Sequence, residues 1–350
     1  MKRRRRRQLS LAVMIAITAI AVGTAGWVYW SQHPSRPPKM VAPTATMPTP
    51  PADPLTIEAI RARSYPGGAV VVEQDLGSQG GYHNYVISYP SDGFKVYALM
   101  SQPSTAAPAG GYPVVILAHG YIDPSLYRTT GPEYTQFIAT LARAGFLVIK
   151  PDYRGHGSSQ GVAEGGHYSP VYAYDMLNLL ASLKTIPVAN AQRVGLIGHS
   201  LGGHVALRTI VATSQVKATA LLAGVVGSMY DLYFNWPRSP IANDKPSAVV
   251  QGTVQKELAD HGDPKSNPGY WNQVSAINYV KYVTGAVQID HGDRDTVVPR
   301  MFSDHLYDAL QQAGKPVEYY NYPTADHQFG DNLSRNLLLQ RLVTLFKTNL

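Results

Sequence analysis

Three residues could together carry out acyl transfer. Ser200 sits in Gly198-His199-Ser200-Leu201-Gly202, a G-x-S-x-G pattern. A serine hydroxyl is a weak nucleophile until a base takes its proton and an acid orients that base. The candidate base is His327, in Thr324-Ala325-Asp326-His327-Gln328-Phe329-Gly330. The candidate acid is Asp295, in Gly292-Asp293-Arg294-Asp295-Thr296-Val297-Val298-Pro299, with Asp293 as its rival two residues earlier. Serine, then acid, then histidine is the chain order found where the serine stands on a strand-to-helix elbow. Such a set attacks the carbonyl of an ester or amide, holds the acyl group covalently, and releases it to water. The developing oxyanion needs donors, and the backbone N–H groups of Tyr121 and Leu201 are the candidates.

The flanking residues supply the elements that must position these groups. Val194-Gly195-Leu196-Ile197 reads as a strand, and Gly202-Gly203-His204-Val205-Ala206-Leu207-Arg208 as a helix. The break between them predicts a tight turn at Ser200, where Gly198 and Gly202 avoid a β-carbon collision. The new helix would aim its N-terminal N–H groups at whatever Ser200 attacks. Asp295 follows a predicted strand at Ala286–His291, and His327 follows one at Val317–Tyr320. Both would stand at the carboxyl edge of a parallel sheet, where ligands bind in open α/β folds. Val114–Ala118 is a continuous apolar run ending in His119-Gly120-Tyr121, as expected of a parallel strand buried on both faces. Phe146–Lys150 and Ala218–Ala223 read the same way.

Ala69–Glu73, Tyr85–Tyr89 and Phe94–Leu99 read as strands, with Ser91-Asp92-Gly93 as a hairpin turn between the last two. Apolar spacing predicts helices from Tyr134 to Gly145, from Asp175 to Ile186 and from Met301 to Leu310. A terminal helix is expected around Leu338–Phe346. This alternation predicts an α/β fold, a mostly parallel doubly wound sheet with helices on both faces.

The segments HGY at 119–121, DYRGHGSS at 152–159, GHSLGG at 198–203, HGDRDTVVP at 291–299 and DHQFG at 326–330 resemble, in this order, the α/β-hydrolase superfamily. Within it they are most similar to dienelactone hydrolases and prolyl oligopeptidase-like catalytic domains. The resemblance covers about residues 85–350 and places the acid of HG-x-x-D-x-x-V-P on Asp295. It implies a serine hydrolase that needs no cofactor and no metal, acting on a small-molecule ester or short peptide. The roughly sixty residues between Ala223 and Ala286 would be a cap over the site, at about 225–280. Their aromatics Tyr230, Tyr233, Phe234, Trp236, Tyr270 and Trp271 would form an apolar lid. Prolyl oligopeptidases proper carry a large β-propeller ahead of the catalytic domain, and too few residues precede the hydrolase segment here to build one. Carboxylic esters are therefore the first expectation and peptides the alternative. A third reading, from another class, is a membrane-anchored binding protein that has lost its chemistry.

The formal charge of +7 arises at the N-terminus, and residues 41–350 hold 22 basic against 23 acidic residues. That balance argues against nucleic acid as a partner. There is no cysteine, hence no disulfide and no thiolate metal site. Lys2–Arg7 precede an uncharged run from Leu9 to Trp30, long enough to cross a bilayer, with Trp27, Tyr29 and Trp30 at its far end. Residues 1–32 are thus expected to form a basic N-terminus plus a single-pass anchor. The alternative is a signal peptide cleaved near Gly23-Thr24-Ala25, leaving a secreted enzyme. Either way the hydrolase domain, 55–350, would lie outside the cytoplasm, beyond a Pro-rich linker at 33–54. Arg154 and Asp152 are expected to form a local ion pair in a turn. His199, His204 and His291 should pack or hydrogen-bond, and Asp175 should be a charge at a helix N-terminus.

Overall fold

The structure is a computed structural model and describes residues 53–236 and 248–350. Its centre is a pair of strands whose every residue is buried, β4 (Tyr112–Ala118) and β5 (Leu147–Pro151). Apart from Lys150, whose ammonium donates to the Tyr127 hydroxyl at 3.0 Å, their runs are apolar, so both sides must be covered. Val114, Ile116 and Ala118 point into one apolar core and Val115 and Leu117 into another, following the two-residue period of a strand. The first core receives α1 (Ile57–Ala62), α3 (Val171–Ser182), α4 (Leu201–Ala212) and α8 (Met301–Gln312). The second receives α2 (Thr135–Arg143) and α9 (Asn332–Asn349).

The remaining strands are β1 (Val71–Ser78), β2 (Tyr82–Ser91), β3 (Phe94–Pro103), β6 (Ala189–His199), β7 (Val216–Leu222), β8 (Ala286–Gly292) and β9 (Val317–Tyr322). They form one sheet in the order β1-β2-β3-β5-β4-β6-β7-β8-β9. Pairing is antiparallel from β1 through β3 to β5 and parallel from β5 to β9. This is the α/β-hydrolase architecture. Asp92 and Gly93, at φ 51° and 83°, turn the chain between β2 and β3. Two successive positive φ values match the twist of an antiparallel pair. β1 begins two residues later than expected from Ala69–Glu73 and continues to Ser78.

Two expectations fail on packing grounds. α3 starts at Val171, so Asp175 lies in its second turn, fully buried, rather than at its N-terminus. There its carboxylate receives the Arg154 guanidinium at 2.6 Å, the Arg154 N–H at 2.9 Å and the Ser91 hydroxyl at 2.7 Å. The ion pair of Arg154 is therefore with Asp175, and with Asp92 at 2.9 Å, not with Asp152. Asp152 instead accepts hydrogen bonds from Tyr127 and Thr129, and burial pushes its carboxyl up to about 6.

The expected cap contains α5 (Met229–Phe234), α6 (Ala248–His261), α7 (Pro268–Val274) and a 3₁₀ segment, Ala276–Tyr282. Only part of it is a lid. Trp271, Ile277 and Val280 belong to the first core, whereas Tyr230, Tyr233 and Phe234 are exposed. An aromatic in this segment is as able to fill the core as to cover the site. Among the described residues no helix is long and apolar enough to cross a membrane. The expected anchor and almost all of the proline-rich linker lie outside the described residues.

Candidate active site

Ser200 links β6 to α4 at φ 54° and ψ −120°, a conformation that costs a non-glycine residue roughly 1–3 kcal/mol. Neighbouring backbone over-determines it. The Ser200 N–H donates to Leu222 O at 3.0 Å, and Ser200 O accepts from Gly203 N at 2.9 Å and Val225 N at 3.0 Å. A β-carbon on Gly202 would lie 2.0 Å from Ala118 O, and one on Gly198 would lie 2.5 Å from Gly202 O. The glycines of the motif are thus required by backbone contact.

His327 follows β9, and its Nδ1 lies 2.8 Å from Asp295 Oδ2. The Asp295 side chain is 1% exposed. Its other oxygen accepts the N–H groups of Val297 at 2.7 Å and Val298 at 2.9 Å. Burial pulls this carboxyl upward, but hydrogen bonds from His291 and His327 outweigh burial and hold it well below the ordinary carboxylate range. Asp295 therefore stands as a carboxylate between two imidazoles, with His291 Nε2 at 3.3 Å. His291 also reaches Ser303 Oγ at 2.7 Å and Val298 O at 3.1 Å. The rival, Asp293, is exposed and pairs with Arg300 at 2.8 Å.

Ser200, His327, Tyr121 and Leu201 all line one cavity of about 800 Å³. Leu201 is the first residue of α4, so its N–H has no intrahelical partner. The walls are largely apolar and aromatic, with Tyr134, Phe137, Tyr168, Leu232, Trp236 and Phe329 among them. Trp236 is the one cap aromatic of the expected set that reaches this cavity in front of the sheet, and its indole N–H donates to Val297 O at 2.6 Å. His204 donates from Nδ1 to Val225 O at 3.2 Å. Away from the cavity, donor atoms of Asp53, Glu257 and His261 lie within 4.8 Å of one another, with Tyr270 bonded to Glu257 at 3.1 Å.

Two residues next to the site were not legible as such. Tyr134 reads in the sequence as the first apolar residue of a helix, yet it is the N-cap of α2, in the left-handed region at φ 66°, with its hydroxyl 2.8 Å from Gly120 N. His291 is expected to pack or hydrogen-bond, and it does hydrogen-bond, but nothing in its spacing announces that its partners include Asp295.

The family model for the prolyl oligopeptidase family, peptidase S9, matches residues 132–350. The chain is 25% identical to the uncharacterized peptidase YtmA of Bacillus subtilis, over 73% of this chain and 90% of that one. It is also 25% identical to dipeptidyl peptidase 8 of Mus musculus, over 67% of this chain and 25% of that one. Among solved structures, dipeptidyl peptidase 4 of Porphyromonas gingivalis overlays with a TM-score of 0.60 at 19% identity, covering 77% of this chain and 36% of that one. An acetyl xylan esterase from Paenibacillus sp. R4 overlays with a TM-score of 0.61 at 17% identity, covering 84% of this chain and 92% of that one. The chain thus spans about a quarter to a third of the dipeptidyl peptidases it matches, and most of the esterase.

Proposed function

As a member of the prolyl oligopeptidase family this chain is a serine hydrolase, and we propose that it cleaves carboxylic esters through an acyl-enzyme formed on Ser200. The observation that carries this reading is that Ser200, on its strained elbow, shares a cavity with a histidine bound by a buried carboxylate. With Nδ1 of His327 committed to Asp295, Nε2 is the nitrogen left for the Ser200 hydroxyl. Ser200 Oγ attacks the carbonyl carbon as His327 takes its proton. The N–H groups of Tyr121 and Leu201 receive the oxyanion. The tetrahedral intermediate collapses, His327 protonates the departing alkoxide, and water activated by the same histidine releases the acid. Asp295 keeps the imidazole in the tautomer that accepts at Nε2 and stabilises the imidazolium.

Esters are favoured over peptides by the walls of the cavity. Glu133 is the one carboxylate among the described lining residues, and it is exposed, so recognition of a buried peptide amino terminus has little to rest on. The peptidase reading is favoured by the family itself and by the peptidase designation of the B. subtilis relative. Short p-nitrophenyl esters assayed beside aminoacyl-p-nitroanilides decide between them. Efficient anilide cleavage with feeble ester cleavage would overturn the ester reading. Ser200→Ala should lower kcat by about 10⁶-fold, and a fluorophosphonate should label wild type but not the variant. Wild-type turnover in Ser200→Ala would remove Ser200 from the mechanism, and an unlabelled wild type would favour a non-catalytic scaffold.

The same reading extends to location. The basic cluster, the uncharged run Leu9–Trp30 and the proline-rich stretch that follows support a hydrolase domain tethered outside the cytoplasmic membrane. Fractionation with N-terminal sequencing tests this. Soluble protein beginning near Gly26 would indicate a cleaved signal, and full-length protein in the cytosol would exclude both forms of export.

A further inference from the structure

The cavity wall contains a line of hydrogen bonds that the hydrolytic steps do not use. The Gly120 N–H donates to the Tyr134 hydroxyl at 2.8 Å. That hydroxyl lies 2.7 Å from His199 Nδ1, and His199 Nε2 lies 2.9 Å from the carbonyl oxygen of His327. The direction of each proton follows from the chemistry of the groups. A carbonyl only accepts, so Nε2 carries the hydrogen. Burial pushes this imidazole down to about 3, so the ring is neutral and Nδ1 is bare. A bare Nδ1 must accept from Tyr134, whose oxygen then keeps a lone pair for the Gly120 N–H. No member of the line has a spare role.

The ends of the line are significant. Gly120 immediately precedes Tyr121, His199 immediately precedes Ser200, and His327 is the base. The ends of β4, β6 and β9 are therefore joined through two side chains, Tyr134 at the start of α2 and His199 at the end of β6. Tyr134 holds a left-handed backbone, at φ 66° and ψ 5°, which is disfavoured for a bulky residue and persists only where surroundings enforce it. The junction is also tight. A β-carbon on Gly120 would lie 3.1 Å from Ser200 Cβ and 3.2 Å from both His199 Nδ1 and Tyr134 Oη.

We propose that Tyr134 and His199 are positioning residues, acting as one strut that holds the oxyanion-binding N–H of Tyr121 and the base His327 in register with Ser200. This role rests on the reading of Ser200, Tyr121 and His327 given above. Tyr134→Phe keeps the ring and removes the hydroxyl, leaving Gly120 N–H and His199 Nδ1 without their partner. Activity is measured per site that reacts with a fluorophosphonate, so unfolded protein does not enter the rate. Tyr134→Phe should lower kcat on a p-nitrophenyl ester by about 10- to 100-fold, with KM within about threefold. A boronic acid, which forms a tetrahedral adduct on Ser200, should lose affinity in step with kcat. Because the strut breaks once, the double variant Tyr134→Phe/His199→Phe should fall no further than the worse single variant. Wild-type kcat per labelled site in Tyr134→Phe, unchanged boronic acid affinity, or losses that multiply in the double variant would each overturn the strut. Should His199→Phe fail to fold, Tyr134→Phe with the boronic acid decides the question alone. Absence of fluorophosphonate label on wild-type Ser200 is a different failure, since it would remove the site reading and the strut together.

Discussion

The elbow around Ser200 and the described parts of the segment 225–282, through Val225, Leu232, Trp236 and Val254, line one cavity, yet they are built on opposite principles. At the elbow, backbone meets backbone. Gly202 approaches Ala118 O so closely that its residue type is forced. In the other segment, side chains meet side chains, and residue type says little about place. Trp271 is 1% exposed and Phe234 is 41% exposed, although both are large aromatics in short helices of the same insertion. A motif made by backbone contact can be read from a few letters, whereas packing can be read only from the whole molecule.

The largest effect expected from this contrast is in the acid. Asp295→Asn should lower kcat by about 10⁴-fold, by analogy with loss of the orienting acid in serine hydrolases. Asp293→Asn, two residues away and exposed, should leave kcat within about threefold. A reversal, read from steady-state kinetics on a p-nitrophenyl ester, would move the acid to Asp293. Next come matched substitutions on the two sides of the cavity. Gly202→Ala should cost at least about 3 kcal/mol in urea unfolding, because the clash is with backbone that cannot rotate away. Phe234→Ala, exposed, should cost less than about 0.5 kcal/mol. Equal costs would erase the distinction between the two regions.

A smaller effect belongs to the part of the insertion that does face the site. Trp236→Ala should raise KM about tenfold for esters with a bulky acyl group while leaving kcat within about threefold. An unchanged KM would show that Trp236 does not contact substrate. An effect on stability rather than on turnover lies in the sheet behind the site. Burial pushes the Asp290 carboxyl up to about 7, although hydrogen bonds from Gln288 and Tyr322 pull the other way. Between about pH 4 and 7 the folded protein therefore keeps a proton that the unfolded chain releases. The contribution is fully present below about pH 4 and is lost as pH rises through about 7. Asp290→Asn should raise Tm at pH 8 relative to pH 5, compared with wild type. An unchanged difference between the two pH values would mean that Asp290 is not protonated in the folded state.

Much of the fold was legible because its period is local. The all-apolar run Val114–Ala118 could only be a strand covered on both faces, and Asp92-Gly93 could only be a tight turn. Helix existence was legible too, but not helix origin. The first turn of α3, Val171–Tyr174, is apolar and lies outside the expected span, so Asp175 looked like the start of a helix rather than its buried second turn. The helix α1 gave no signal, since six residues are too few for a period to show.

The residues of this chain alone determined the elbow, the chain order of Ser200, Asp295 and His327, and the strand ends that carry them. Each of those depends on neighbours in sequence, where sterics and a two-residue or 3.6-residue period act directly. Tertiary structure alone decided that Arg154 answers Asp175 and not Asp152, that His291 flanks Asp295, and that Tyr134 joins Gly120 to His199. Except for His291 and Asp295, four residues apart, those partners are distant in the chain, and a hydrogen bond or ion pair forms between whichever groups packing brings within about 3 Å of each other. No spacing along the sequence encodes that meeting. It follows from how the helices settle on the two faces of the sheet.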